Sequence, residues 1–399
     1  MTRIAPVWLY AEVNPATPEF KTLDDGAEVS FMPLEAVWPG EKADYTNVLP
    51  WSSKQSYSQF RRGDILVPKI TPTFEAGRTI IAEIPFALGL ASTEVHVVRP
   101  NASSDPRFLQ YCFQSLPFLD EGAHSLKGVG NLRRITPRFV QEHKVLDATL
   151  DIQRAIADYL DRETGEIDAM IAKMDELAET LEVRRMSAMQ RSTQYADDGT
   201  RWNVVPTAHL FASIGSGTTP KGPGHYVESG AGVPWVTTSE LRENLVTATL
   251  QDVTEEAVAA VSSLRVHPRG AVVIAMYGAT IGRLGVLGTD ATMNQACCAF
   301  SSPRDVDPRF FYYTLWGQRD DIIREAAGGG QPNISQGMLR RWRVPHPPVD
   351  EQRRIADHLD EVTGKIDAML AKVAELKSLL IERRAALITD VVTGRKAVA

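Results

Sequence analysis

One segment occurs twice in this chain of 399 residues, at residues 153–185 and again, without a gap, at residues 352–384. The copies read QRAIADYLDRETGEIDAMIAKMDELAETLEVRR and QRRIADHLDEVTGKIDAMLAKVAELKSLLIERR, with 20 identical positions. An internal repeat decides the architecture, because both copies must fold alike and find equivalent surroundings. The sequence therefore predicts two parallel halves of similar length, each ending in the same element.

Apolar residues recur in each copy at spacings of seven, four, three and seven, which is typical of a helical coiled-coil seam. They are Leu160, Ile167, Ile171, Met174 and Leu181 in the first copy, and Leu359, Ile366, Leu370, Val373 and Leu380 in the second. A helix of this length extends about 50 Å, and its narrow apolar stripe needs a partner stripe. We expect the two copies to pack together as an antiparallel coiled coil.

A glycine interrupts each copy at the same place, Gly165 in the first and Gly364 in the second. Each costs a helix about 1 kcal/mol relative to alanine. We expect close helix–helix contact at this position, since that would explain a small residue there; a functional role is the alternative.

The segments outside the repeats predict mixed strands and short helices. Alternating apolar patterns at 63–70, 93–100, 270–278 and 295–303 predict strands. The motif DPRF, at 105–108 and 307–310, predicts a helix start, with aspartate as N-cap and proline in the first turn. We expect an α+β fold with a pseudo-twofold internal repeat: mixed α/β domains at 1–147 and 200–348, and helical segments at 148–199 and 349–399.

Charge and cysteine content exclude little. The net charge is −7, which by itself argues against nucleic acid. Residues 149–199, however, contain six Lys and Arg against twelve Asp and Glu, so much of the acidity lies on the first repeated helix. Three cysteines argue against a disulfide framework, and no apolar run is long enough to span a bilayer. We expect a cytoplasmic protein without membrane segments.

The motifs of common enzymes are missing from the sequence. The loop at 213–222 lacks the Gly-Lys-Ser/Thr ending of a phosphate-binding loop, and no two histidines stand four residues apart. His346, Pro347 and Pro348 precede Val349, unlike the aromatic-ended motif of amino-methyltransferases. The sequence therefore predicts no catalytic residues and no metal ligands.

The chain resembles the specificity subunits of type I restriction–modification systems. The resemblance rests on the paired repeats, on VPHPPVDEQRRIADHLD (344–360), on RGDILVPKITPTFEAGR (62–78) and on the segments 202–222 and 234–241. It covers essentially the whole chain, although the first twenty residues lack the tryptophan-led start that the second half has at Trp202.

The resemblance implies a non-catalytic subunit with two target recognition domains, each reading one half of a split site in double-stranded DNA. The two helices would set the gap between the half-sites and dock two modification subunits. Restriction subunits, which are ATP-dependent nucleases and translocases, would join for cleavage. No cofactor is expected in this chain, whereas S-adenosylmethionine is expected in the modification subunit.

Polar and basic residues in loops are the candidates for DNA contact, because Arg and Lys suit guanine edges or phosphates and Asn and Gln suit adenine edges. In the first half they are Ser53, Lys54, Lys69, Thr71, Thr73, Arg78, His124, Lys127, Asn131 and Arg133. In the second they are Ser216, Thr218, Thr219, Lys221, Tyr226, Thr237, Thr238, Tyr277, Thr280, Arg283, Gln331 and Asn333. The same loops carry Ser52, Ser125, Arg134, His225, Ser239, Arg340 and Arg341.

Each candidate could equally be an ordinary turn residue. The glycine-rich stretches at 128–131 and 328–333 could approach a phosphate closely or simply end a hairpin. A second interpretation of the whole chain is a coiled-coil scaffold with two ligand-binding domains and no DNA role, which the overall acidity favours.

Overall fold

The computed structural model describes residues 3–40, 43–130, 132–326 and 332–398. The chain divides into two units, Met1–Asp175 with Ala374–Ala399, and Glu176–Val373. Each unit therefore contains one globular domain together with a portion of both repeated segments. We call the globular domain of the first unit the first domain and that of the second unit the second domain.

The first domain has two sheets and a two-stranded ribbon. Its strands are β1 (Ile4–Pro6), β2 (Ala11–Val13), β3 (Glu28–Met32), β4 (Val48–Pro50), β5 (Ser58–Arg61), β6 (Ile65–Pro68), β7 (Ile80–Ile81), β8 (Leu88–Ala91), β9 (Val95–Pro100) and β10 (Lys144–Leu146). Its helices are α1 (Pro106–Gln114), α2 (Leu116–Ser125) and α3 (Pro137–Glu142). The sheets have the orders β2-β9-β6-β7 and β4-β3-β8-β5, and β1 pairs with β10.

A long helix, α4 (Leu150–Gln194), follows and leads into the second domain. The strands there are β11 (Val204–Pro206), β12 (Phe211–Ser216), β13 (Tyr226–Glu228), β14 (Val233–Val236), β15 (Asn244–Val246), β16 (Gln251–Val253), β17 (Val272–Ala275), β18 (Leu284–Leu287), β19 (Thr292–Met293), β20 (Cys297–Pro303) and β21 (Arg343–Pro345). The helices are α5 (Thr207–Leu210), α6 (Glu255–Ala260), α7 (Pro308–Gly317), α8 (Arg319–Ala326) and α9 (Gln336–Arg341), before the second long helix, α10 (Val349–Val392).

The two domains share their strand pairings. In the second domain the sheets have the orders β12-β20-β17-β18-β15 and β13-β16-β14-β19, and β11 pairs with β21. The opening strand β1 meets β10 as β11 meets β21, so the first domain begins like the second although its sequence there differs. Likewise β3 runs parallel to β8, as β14 does to β19. The main sheet of the second domain has one extra strand, β15.

The long helices run antiparallel inside each unit. Ion pairs join Asp168 to Arg384 in the first unit, and Asp367 to Arg185 in the second. The predicted stripe faces inward: Leu160, Leu359, Ile167 and Ile366 are buried. The predicted helices and their antiparallel coiled-coil pairing are therefore confirmed within each unit. None of the described helices is long and apolar enough to cross a membrane.

The expected close contact at the two repeat glycines is wrong. A Cβ atom built on Gly165 or on Gly364 meets no heavy atom within 4 Å, and both residues are exposed. The buried seam lies on the opposite side of the helix, because Gly165 falls about 160° around the helix from Ile167 at 100° per residue. Packing within the described chain therefore does not explain these glycines.

A duplicated hydrogen-bonded joint attaches each domain to its own long helix. Asp105 caps α1 by accepting from the backbone N–H of Arg107 and Phe108, and Asp307 caps α7 in the same way. The buried amide Oε1 of Gln153 accepts from the N–H of Asp105 at 2.9 Å, and that of Gln352 accepts from the N–H of Asp307 at 2.8 Å. The DPRF motif and the first residue of the repeat are thus two parts of one contact.

A tyrosine and an arginine complete the joint about two turns further along the long helix. The hydroxyl of Tyr111 donates to Asp161 at 2.8 Å, and Nη1 of Arg107 contacts the same carboxylate at 2.6 Å. Tyr313, Arg309 and Asp360 repeat the arrangement in the second unit, at 2.6 and 2.7 Å. Asp161 and Asp360, which occupy equivalent places in the two repeats, therefore anchor each domain to its long helix.

We expect Gly165→Ala and Gly364→Ala to stabilise the chain by up to about 1 kcal/mol each, because alanine favours the helix and finds open space. Thermal unfolding measured by circular dichroism checks this. Ala172→Gly and Ala371→Gly, at matched exposed positions of the two copies, should destabilise the chain by a similar amount. A lower melting temperature in both alanine variants would contradict the open geometry.

Candidate functional site

In the first domain, two separated loops are joined by a short backbone ladder. Ile135 donates its N–H to the carbonyl of Lys69 at 3.0 Å, and Thr71 donates to the carbonyl of Arg133 at 3.0 Å. Lys127 and Arg134 exchange two further backbone hydrogen bonds, of 2.9 and 2.8 Å. The ladder therefore brings together four of the predicted residues: Lys69, Thr71, Lys127 and Arg133.

A carboxylate lies among the basic residues that the ladder brings together. Glu94 accepts two hydrogen bonds of 2.8 Å, from Nε and Nη2 of Arg134. The hydrogen bond from Arg134 is also the main reason that the pKa of Glu94 lies below its ordinary value. Because the carbonyl of Glu94 accepts a hydrogen bond from the N–H of Lys69, the Glu94–Arg134 ion pair is attached to the same ladder.

Arg78 is held by an aromatic ring. Its guanidinium carbon lies 3.2 Å from the centroid of the Trp38 ring, a cation–π contact. Its Nε is buried without a hydrogen-bond partner among the described residues, and burial lowers the pKa of the guanidinium. Stacking on Trp38 fixes the plane of the Arg78 guanidinium, whose terminal nitrogens can donate hydrogen bonds to an acceptor.

The other predicted residues of the first half lie around this group or apart from it. Thr73 follows Thr71 in the same turn, whereas Ser53 and Lys54 lie in the turn after β4, in the other sheet, and both are exposed. His124 ends α2, where its Nδ1 lies 2.7 Å from the carbonyl of Asp120. Asn131 falls outside the described residues.

In the second domain, the loop after β12 packs on the turn between β19 and β20. Thr218 donates its N–H to the carbonyl of Met293 at 2.9 Å, and the hydroxyl of Thr219 donates to Oε1 of Gln295 at 2.5 Å. Gly217 is required here, because a Cβ at this position would lie 1.7 Å from the carbonyl oxygen of Met293. Ser216 precedes this glycine at the end of β12.

The loop between β17 and β18 reaches the same turn from the other side. Met276 donates its N–H to the carbonyl of Ala296 and accepts at its own carbonyl from the N–H of Ile334, both at 2.8 Å. The loop that follows Met276 carries the predicted Tyr277, Thr280 and Arg283, and the segment before Ile334 carries Asn333. Gln331 falls outside the described residues, as do residues 328–330 of the glycine-rich stretch.

Local hydrogen bonds hold the remaining candidates of the second half. The N–H and hydroxyl of Thr237 both donate to Glu240, at 2.7 and 2.6 Å, and Thr238 lies inside that turn. The hydroxyl of Tyr226 donates to the carbonyl of Pro220, next to the exposed Lys221. The N–H of Asn294 donates to the carbonyl of Val236 at 2.9 Å, which connects the segment before Thr237 to the turn 293–296.

Sequence reasoning missed two residues at the centre of these groups, Glu94 and Gln295. The apolar pattern predicted a strand from residue 295, but β20 begins at Cys297, so Gln295 lies in the preceding turn with an exposed side chain. Glu94 stood inside the predicted strand 93–100 and lies just before β9. A carboxylate or amide at the first or second position of a predicted strand was the available signal.

These groups offer hydrogen-bond donors and acceptors on loops anchored to sheets. Among the described residues, no cluster of three or more His, Cys, Asp or Glu side chains could hold a metal ion. A surface of Lys, Arg, Thr, Asn and Gln suits binding to an extended polar partner.

The sequence of the second half matches a known family. Residues 201–378 match the type I restriction modification DNA specificity domain. The chain is 23% identical over 281 residues to the specificity subunit of the type I restriction enzyme EcoR124I/EcoR124II of Escherichia coli, covering 68% of the chain and 67% of that relative. It is 32% identical to the Escherichia coli EcoAI specificity subunit over 139 residues, 33% of the chain but 23% of the relative.

Solved structures share the fold along the whole chain. A chain from a study of complex assembly and conformational transition in the type I R-M system superposes with a TM-score of 0.79 at 17% identity, covering 99% of this chain and 98% of the other. The HsdS subunit from Thermoanaerobacter tengcongensis superposes with a TM-score of 0.56 at 17% identity, covering 99% and 97%. Both therefore show two domains with long helices in the same order.

We expect Gly217→Ala to destabilise the second domain, because the new methyl group overlaps a backbone oxygen that cannot move independently. Overpacking of this kind costs about 1–3 kcal/mol. Gly224→Ala is the matched control, since a Cβ there meets nothing within 4 Å and should leave the melting temperature nearly unchanged. Equal melting temperatures for the two variants would show that the loop 216–219 does not pack on Met293.

Proposed function

We propose that the chain is a specificity subunit of a type I restriction–modification system and that it reads a split site in double-stranded DNA. Each domain reads one half of the site, and the long helices set the gap between the halves. The chain itself carries out no chemistry; it directs the subunits that methylate or cut.

The observation that carries the proposal is the convergence of the predicted loops in each domain. In the first domain, residues 69–71 and 127–134 meet around Glu94, and in the second, residues 216–219 and 276–283 meet around the turn 293–296. The scaffolds correspond, but the exposed side chains differ. Two equivalent surfaces of different chemistry are what recognition of an asymmetric split site requires.

The long helices support the proposed docking of two modification subunits. Met170 and Leu177 in α4 are 40% and 43% exposed, and their counterparts Met369 and Leu376 in α10 are 42% and 51% exposed. Each pair is spaced by seven residues and lies beside the buried seam, not on it. An apolar flank present in both copies offers two equivalent surfaces to helices of a partner.

The other proposed partners and the cofactor follow from the resemblance to type I restriction–modification systems. The modification subunits would bind S-adenosylmethionine and transfer its methyl group, while restriction subunits would join the complex for ATP-dependent cleavage. This chain would contribute only the DNA sequence read. A scaffold without a DNA role is the alternative, and the domain exchange below distinguishes the two.

We expect exchange of residues 1–147 for the corresponding domain of another specificity subunit to change one half of the methylated motif and preserve the other. The donor should keep an aspartate at position 105 and an arginine at position 107, so that the joint to α4 is retained. The measurement is methylation-sensitive sequencing of cells that express the hybrid with the modification subunit. The unaltered chain in the same host is the control. Changes in both halves would refute independent reading, and a wild-type complex that methylates without sequence preference would refute the DNA role.

We expect Leu177→Glu combined with Leu376→Glu to weaken capture of the modification subunit at least tenfold, because two exposed apolar contacts become charged. Leu250→Glu is the matched control, since Leu250 is 81% exposed on a turn of the second domain. Co-purification at graded salt provides the measurement. Undiminished capture by the double variant would place the docking surface elsewhere.

A further inference from the structure

Arg134 and Asn333 occupy equivalent positions in the two domains. Each directly precedes an isoleucine whose N–H binds the loop after β6 or β17, Ile135 to Lys69 and Ile334 to Met276. Two residues beyond each, Thr136 and Ser335 cap the helices α3 and α9 through their hydroxyls. The same backbone place thus presents an arginine in one domain and an asparagine in the other.

Arg134 is oriented before any ligand binds. Its Nε and Nη2 donate to the two oxygens of Glu94, and its Nη1 donates to the carbonyl of Leu132 at 2.8 Å. Three of the five guanidinium N–H groups are thereby used, and one is left on each terminal nitrogen. The side chains of Arg134 and Glu94 are 39% and 26% exposed, so this remaining pair of donors is accessible.

The backbone beneath Arg134 is fixed by a buried histidine. Nε2 of His96 lies 3.2 Å from the carbonyl of Ile135, which can only accept, so this nitrogen carries the proton. Nδ1 then accepts from the amide of Asn14 at 3.1 Å. Burial lowers the pKa of His96 to about 4, so it stays neutral near pH 7 and adds no charge to the surface.

Arg134, whose charge is offset by Glu94, differs from the exposed cations around it. Lys127 and Arg133 are exposed and suit phosphates, which carry no base information. The carboxylate of Glu94 offsets the charge of Arg134, which reduces its gain from a phosphate, and it holds the guanidinium plane in one direction. Two coplanar donors in a fixed direction match the N7 and O6 acceptors that guanine alone presents together in the major groove.

We propose that Arg134, positioned by Glu94, reads a guanine in the half-site of the first domain. The inference rests on the proposed DNA recognition and adds the base read, the residue that reads it and the carboxylate that orients it. The carbonyl of Glu94 accepts from the N–H of Lys69 after β6, and the carbonyl of Ala296 accepts in the same way from the N–H of Met276 after β17. Ala296 is therefore the counterpart of Glu94, and the second domain has no carboxylate at this position. Asn333 therefore serves as the matched control position.

The test uses the complex with its modification subunits, on its own methylated motif with the first half assigned by the domain exchange. Each guanine of that half is replaced in turn by 7-deazaguanine, which lacks only the N7 acceptor. Wild-type binding should fall about 5- to 100-fold at one guanine. Arg134→Ala should bind the natural duplex correspondingly more weakly and show no further loss at that guanine. Asn333→Ala should keep the full 7-deazaguanine effect.

Two variants separate reading from folding. Arg134→Lys keeps the cation but not the coplanar donors, so it should retain salt-dependent binding and lose the 7-deazaguanine effect. Glu94→Gln should weaken the effect without removing it. An undiminished effect at every guanine in Arg134→Ala, or a first half without guanine, would overturn the proposal and leave the ion pair a purely structural one. A wild-type complex without sequence preference would instead refute the proposed function.

Discussion

Two buried glutamine amides hold the architecture together. Gln153 and Gln352 are fully buried, and each satisfies the backbone N–H of the aspartate that caps the adjoining domain helix. Their own Nε2 groups donate to backbone carbonyls, to Ala148 in one copy and to Pro347 in the other. A buried amide left without partners costs several kcal/mol, so each amide fixes the domain, the connecting strand and the long helix in one arrangement. The proposed reading of two half-sites at a fixed spacing depends on this rigid attachment.

The elements that could be predicted from the sequence are those encoded by periodic patterns and by short local motifs. The repeat, the seam residues such as Leu160 and Ile366, and the Asp-Pro helix starts are short-range patterns, and the structure confirms them. The glycine prediction failed because a small residue in a helix has two explanations, close packing or an outward face, and spacing alone does not separate them. Glu94, Gln295 and the Gln153 contact were missed for another reason: their partners lie 40, 76 and 48 residues away. Only the fold brings such pairs together.

The net charge of −7 does not conflict with the proposed DNA recognition once the positions of the charged residues are considered. Several carboxylates of the long helices are engaged with Arg107 and Arg309, where they secure the domains. The loops that converge in each domain carry cations of two kinds, exposed ones such as Lys127 and Arg133, and held ones such as Arg78 and Arg134. The exposed cations favour affinity for any phosphate. The held cations favour recognition of an acceptor that lies in one particular direction. Local arrangement, not the sum of charges, decides what such a surface can bind.

The last turns of α10 belong to the core of the first unit. Ile388, Val391 and Val392 are buried together with Phe113 and Ile156, and the hydroxyl of Thr389 accepts from the N–H of Leu116. During synthesis, the core of the first unit therefore closes only after residues 388–392 have been made, which follow the whole of the second unit in the chain. The second unit, whose residues 176–373 are continuous, has no such delay. Biogenesis should thus run against the usual order of N-terminal domain first. A ribosome that stops between residues 373 and 388 leaves the first domain unable to complete its core, although this domain is made before the second.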